Sequence, residues 1–277
     1  MRLSVPAAAF AAFALAAVAN AAPAPRPAAP AAPEAAPAPP PPPRQAGGID
    51  LTGYWVSVVT EDWRWRMMTP PKGDYTSVPL NAEGKRVADG WDIEKDKAPG
   101  LECQAYGMPA LMRLPGRLHI TWQDDQTLKI EADAGTQTRE LHFNAVAAGP
   151  PSWQGTSHAA WEDTRYEASG LGILTIPPAP PSFALKVTTS DLRAGYLRRN
   201  GVPYSDQAVV TEYYDILRHT DGQDWLVVTT VVDDPRYLQQ PFITTTHFKR
   251  EKDGAKWAPT PCQVIPPTRG PRPAYPQ

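Results

Sequence analysis

Glu61, Asp62, Arg64 and Arg66 lie close together in the stretch Gly53 to Met68, GYWVSVVTEDWRWRMM, interleaved with Trp63 and Trp65. A carboxylate among tryptophans either pairs with a cation or, desolvated, rises in pKa and becomes an acid. Two arginines at alternate positions make a bidentate clamp for a carboxylate if their face turns inward, and a solvated stripe if it does not. Five histidines, His119, His142, His158, His219 and His247, are scattered along the chain. Four fall in strand-like segments, where an inward-facing cluster would make a metal site or a general base, although exposed polar-face histidines are the commoner outcome. Glu212, beside Tyr213 and Tyr214, and Tyr204 add a second acid and a phenol; for these, ion pairing or hydroxyl packing competes with catalysis.

Two kinds of chemistry suit these residue types. In the first, a small apolar or aromatic molecule is bound in an aromatic-lined cavity, with Trp63, Arg64, Trp65, Arg66, His142, His158, Tyr196 and Arg198 as the lining. In the second, a cofactor-independent lyase, a decarboxylase or dehydratase, acts on an aromatic acid in the same cavity. Arg64 and Arg66 would then hold the carboxylate while Glu61, His119, Tyr204 or Glu212 moves the proton. A structural or adaptor protein of the cell envelope would have no internal cavity at all. No G-x-S-x-G elbow, H-E-x-x-H, P-loop or dinucleotide fingerprint occurs, and neither a cofactor nor a metal is expected.

The elements that must position these residues are strands. Read as one strand, Gly53 to Met68 puts Trp55, Ser57, Val59, Glu61, Trp63, Trp65 and Met67 on one face and Asp62, Arg64 and Arg66 on the other. From Arg117 onward, runs rich in β-branched and aromatic residues alternate with turn residues: Arg117 to Gln123, Thr127 to Asp133, Thr136 to Phe143, Ser152 to Glu162, Phe183 to Ser190, Ala208 to Arg218, Trp225 to Asp233 and Phe242 to Arg250. About nine strands in sequence specify an all-β fold, and closing them into an antiparallel up-and-down barrel removes the exposed edges; a two-sheet sandwich is the competing architecture. Asn81 reads as the N-cap of a short helix carrying Val87 and Trp91, and Asp92 to Pro115 as a long ordered loop. Two connections, Asp163 to Ser182 and Asp191 to Gln207, are too long for hairpins, and the second reads as a lid.

Composition frames the rest. A net charge of -2 supplies no basic field for a phosphate backbone, so nucleic acid is not an expected partner. Residues 1–21 have the form of a signal peptide, with Arg2, an apolar Val5 to Val18 and a small-x-small Ala19-Asn20-Ala21. The apolar run is too short to span a bilayer, which predicts an exported, periplasmic or secreted chain without a transmembrane segment. Residues 22–48, almost all alanine and proline, read as a disordered tether, residues 49–265 as the barrel domain and 266–277 as a proline-rich tail. Nothing in the sequence sets the oligomeric state. In an oxidising compartment Cys103 and Cys262 are expected to pair.

Gly53-x-Trp55 opening the first strand, with Lys249-Arg250 ending the last, resembles the lipocalin and calycin arrangement, in which the tryptophan packs near a basic residue at the closed end. More widely, the succession CQAYGMPALMRLPGRLHI, SWQGTSHAAWE, NGVPYS, TEYYD, WLVVTTVVDDP and QQPF resembles a group of exported bacterial proteins. Gly201, Pro203, Ser205, Glu212, Asp234, Pro235, Pro241 and Phe242 match that group's pattern, while Tyr204 stands where many members have histidine. The resemblance implies an exported calycin-like barrel and carries no activity with it.

Overall fold

The computed structural model describes residues 40–163 and 183–267; the expected signal peptide, most of the tether and of the 163–182 connection, and the end of the tail lie outside them. The described residues form a closed barrel of nine strands. Its strands are β1 (Gly53–Val58), β2 (Arg117–Trp122), β3 (Thr127–Ala132), β5 (Gln137–His142), β6 (Thr156–Asp163), β7 (Phe183–Ser190), β10 (Val209–Arg218), β11 (Asp224–Asp233) and β12 (Phe242–Glu251). Four short strands lie outside it: β4 (Ala134–Gly135), β8 (Gly195–Arg198), β9 (Val202–Tyr204) and β13 (Thr260–Pro261). Sequence neighbours are spatial neighbours all round, and β1 closes the ring against β12, with Trp55 opposite Arg250. Every seam is antiparallel but one. The 143–155 connection crosses from one end of the barrel to the other, so β6 runs parallel to β5 over two pairs, Leu141 with Ser157 and His142 with His158.

The alternation that specifies strands also fills the barrel. In β11, Leu226, Val228, Thr230 and Val232 are buried while Trp225, Val227, Thr229 and Val231 between them stay half-exposed. Leu118, Ile120, Leu128, Ile130, Leu141, Leu185, Val187, Tyr214 and Phe248 join Leu226 and Val228 in one core cluster around Trp55. At one end this core is sealed by Trp55, whose indole donates to the Leu51 carbonyl and whose ring lies 4.1 Å from the Arg250 guanidinium.

The opposite end is capped. Strand registers bring the end of β1 and the starts of β2, β10 and β12 there, and the connections 59–116, 191–208 and 234–241 all leave from it. A second core cluster ties them together, with Val78 and Met108 from the first, Leu197, Val202 and Tyr204 from the second, Leu238 from the third, and the strand residues Val210, Val232 and Phe242. The cap holds α2 (Trp63–Met67), α3 (Ala82–Asp89), α4 (Ile93–Asp96) and α5 (Met108–Leu111). They follow α1 (Pro43–Ala46), a single turn in the segment before the barrel. As expected, Asn81 caps α3, its side chain accepting from the Gly84 amide at 2.8 Å. Among the described residues no helix is long and apolar enough to cross a membrane.

Four expectations need correction. The first strand stops at Val58: Asp62 takes a left-handed conformation at φ 51°, and the WRWRM that follows coils into α2. Aspartate is among the residues that tolerate this geometry, and the coil turns Arg66 inward while Trp63 stays 58% exposed. The loop 92–115 contains α4, a 3-10 turn at Gln104–Tyr106 and α5. The supposed lid Asp191 to Gln207 is the β8–β9 hairpin, with Leu197, Val202 and Tyr204 fully packed, and is fixed over the barrel end. Finally, the last residues of the tether rest on the barrel: the Trp161 indole donates to the Pro43 carbonyl at 2.8 Å, and any side chain at Gly47 or Gly48 would collide with Trp161 or Phe183.

Cys103 and Cys262 are bridged, with Cα atoms 5.2 Å apart. After β12 the chain returns along the barrel, and β13 pairs in parallel with β4, setting Cys262 beside the 3-10 turn that follows Cys103.

Candidate functional site

Four arginines converge within the cap. Arg64 and Arg66 come from α2, Arg113 from the segment after α5, and Arg198 from the end of β8. Arg66, Arg113 and Arg198 are 2%, 5% and 3% exposed. Three have a carboxylate each: Arg66 pairs with Glu61, Arg64 with Asp74, and Arg113 with Asp62 at 3.0 Å. Arg66 also donates from Nε to the Arg113 carbonyl at 2.9 Å, tying α2 to the segment leading into β2. Arg198 differs. Its Nη1 donates to the Thr76 carbonyl at 2.6 Å, and its guanidinium lies 4.8 Å from the Trp65 ring and 6.0 Å from that of Phe242.

Several buried polar atoms here have no partner: Nη2 of Arg66, Nη1 of Arg113, Nε and Nη2 of Arg198, the Trp65 indole nitrogen, Oγ1 of Thr69 and Oδ1 of Asn200. Buried polar atoms are nearly always paired, so these, six able to donate and the Asn200 oxygen able only to accept, single out this part of the cap. Burial, and then the neighbouring Arg113 charge, push the Arg198 guanidinium down to about 10. Arg66 is lowered by the same desolvation, opposed by Glu61. Burial alone would raise the Glu61 carboxyl, but the Thr60 hydroxyl, its own backbone amide, Arg66 and His247 outweigh it and hold Glu61 below its ordinary range. Beside the cluster a surface hollow of about 440 Å³ is lined by Ser77, Val78, Pro79, Gln240, Pro241, Phe242 and Ile243. Phe242 is both a wall of this hollow and a ring packed against Arg113 and Arg198.

The structure therefore brings together Glu61, Arg64, Trp65, Arg66 and Arg198 from the sequence candidates and distributes the others. Glu61 is the paired carboxylate, not the raised acid, and bridges Arg66 to His247, whose Nδ1 is 3.3 Å away. Trp63 projects to solvent. Tyr196 lies elsewhere in the cap, donating to Asp96 at 2.8 Å, while Trp91 donates to the other oxygen of that carboxylate. Tyr204 is fully buried in the second core, where burial raises its pKa; its hydroxyl fills the space that Gly107 and Gly195 leave for want of side chains. Glu212 lies inside the barrel, paired with Arg139 at 2.7 Å in a network with Tyr214, Ser157 and Thr189. The histidines do not gather. His119 stacks on Tyr54 at 4.1 Å and meets Glu131 at 3.2 Å; His142 and His158 are register neighbours across the parallel seam, His158 exposed; His219 lies in the β10–β11 turn beside Asp221.

Sequence reasoning missed Arg113, Asp74 and Asn200. Arg113 did carry a signal, as a lone charge inside the apolar run Met108 to Leu114. Asn200 donates to the carbonyls of Pro71 and Asp74 and so holds the 69–76 loop over Arg198, a role that no local pattern announces. No protein family, curated protein or solved structure matches this chain.

Proposed function

We propose that this chain is an exported binding module, periplasmic or secreted, that holds a small apolar or aromatic molecule at the capped end of its barrel. Its support is one observation: several buried guanidinium and indole nitrogens without hydrogen-bond partners lie beside a surface hollow of small-molecule size, with Phe242 common to both. The barrel interior is occupied by the aliphatic core and the Arg139–Glu212 pair, so the ligand is assigned to the cap and the barrel is its scaffold. The disulfide fits an oxidising compartment. The lyase alternative requires a group free to move a proton beside the arginines. Glu61 is instead held ionised by its partners and Tyr204 is enclosed in the second core, which favours binding over turnover.

Trp65 is the natural reporter, since its ring packs against Arg198. Titration with octanoate, cinnamate and a farnesyl compound is expected to give a saturable change in emission that Trp65→Phe abolishes. Flat titrations across that panel, with the protein folded, would sink the proposal.

A further inference from the structure

We infer that Arg198 is the residue by which the cap selects its ligand, and that the ligand carries a single carboxylate; this rests on the binding role proposed above. The first ground is charge. Arg64, Arg66 and Arg113 each have their own carboxylate, whereas Arg198 forms no ion pair among the described residues and meets only a main-chain carbonyl. Among the described residues the ion pairs of this cluster set three carboxylates against four guanidiniums, and one bound monoanion would give Arg198 the partner that the others have. A dianion such as phosphate would overshoot.

The second ground is geometry. The two unpartnered nitrogens of Arg198, Nε and Nη2, lie on the same edge of the guanidinium, and their parallel N–H groups are the fork that accepts a carboxylate side-on. Its remaining nitrogen, Nη1, donates to Thr76, and the Trp65 and Phe242 rings lie 4.8 and 6.0 Å from the guanidinium carbon. The group is therefore held in place, with one edge that makes no hydrogen bond among the described residues. A buried cation without a paired carboxylate is a destabilising feature even with Asp62 and Asp74 nearby, and its retention makes sense if a ligand completes it. The third ground is position: Phe242 packs against Arg198 and is also a wall of the hollow, so the apolar residues nearest the guanidinium on that side are those that line it, Val78, Pro79, Pro241 and Ile243 among them. The occupant is an amphiphilic acid with an aliphatic or aromatic body.

Calorimetric titration of the full chain tests this with matched probes: octanoate, decanoate and cinnamate against their primary amides, and inorganic phosphate. The acids are expected to bind at least tenfold more tightly than the amides. Arg198→Met should bring that ratio to about one while melting no lower than the wild type, because it removes a buried charge without a paired carboxylate. Arg198→Lys should keep the preference for acids but weaken it about tenfold through loss of the fork. Equal binding of acids and amides would overturn the inference and leave the binding role standing; no binding of any probe would overturn both. Tighter binding of phosphate than of the acids would overturn the single-carboxylate assignment. Arg198→Met melting well below the wild type, with the acid preference intact, would make Arg198 structural.

Discussion

Glu212 and Arg139 form the most deeply buried ion pair among the described residues, with side chains 0% and 1% exposed. Burial alone would lower the Arg139 pKa, but Glu212 and then Tyr214 raise it, so the guanidinium stays charged. Removing one partner strands the other: Glu212→Leu is expected to cost about 3–5 kcal/mol in urea unfolding, while the double replacement with Arg139→Leu recovers most of it. A catalytic role for Glu212 predicts no such recovery. Tyr204→Phe makes the opposite case. Its hydroxyl is buried without a partner, so deletion is expected to leave stability unchanged or raise it by about 1 kcal/mol. Glu61 sets an acid limit on the cap. Its folded pKa lies below the ordinary 4.5, so its contribution to stability is present above that value and is lost as pH falls through the folded one. The stability difference between wild type and Glu61→Gln should therefore shrink on acidification below about pH 4.5. Glu212 and Glu61 both stood out in the sequence as candidate acids. Their status was hidden because the deciding partner of Glu212 is 73 residues away and that of Glu61 depends on a turn at Asp62.

At the scale of elements, the nine strands were legible because one face of each is buried and period-two alternation follows from that directly. The element that builds the site was not. Trp63-Arg64-Trp65-Arg66 alternates like a strand, yet the same spacing puts Trp63 and Met67 one turn apart on a helix, and pattern alone cannot choose. What decides is the chain around it: Asp62 in the left-handed region, and Glu61, Asp74 and the Arg113 carbonyl waiting for the guanidiniums. The motif Gly201-x-Pro203-x-Ser205, with Asp234-Pro235, is a fastening between two cap connections. The amide and hydroxyl of Ser205 both donate to Asp234 at 2.7 Å, and both residues are buried. Ser205→Ala removes one of these bonds and leaves a buried carboxylate under-satisfied, a loss of about 1–3 kcal/mol. Hydrogen exchange should locate the loosening in β9 and the start of β10, with the β2–β3 hairpin unaffected. Uniform loss of protection would argue against a local fastening.

For the whole molecule, closure works twice. Pairing of β1 with β12 closes the ring of strands, and the disulfide closes the covalent chain around most of it, joining residues 159 apart. The first closure was readable from the count of strands and the second from the cysteine number, but the path joining them was not. A polar, proline-interrupted C-terminal segment gives no hint that Thr260 and Pro261 will lie beside Ala134 and Gly135. This route gives the bridge two separable effects. A loop of that length restrains the unfolded chain by on the order of 4–5 kcal/mol at most, so Cys262→Ser is expected to lower the melting temperature by roughly 10 °C with the strand content unchanged. Locally, β13 is held by one short parallel pairing, by the Thr260 amide donating to Asp133, and by the Gln263 amide and carbonyl meeting the Tyr106 hydroxyl. Once the bridge is gone, these few bonds cannot hold residues 252–267 at full occupancy. Limited proteolysis of Cys262→Ser should cut first between Gly254 and Cys262, at temperatures where the barrel is intact, whereas the bridged protein resists. Equal melting points with and without the bridge, together with equal protection of that segment, would mean that the strap holds itself and that the disulfide only records its position.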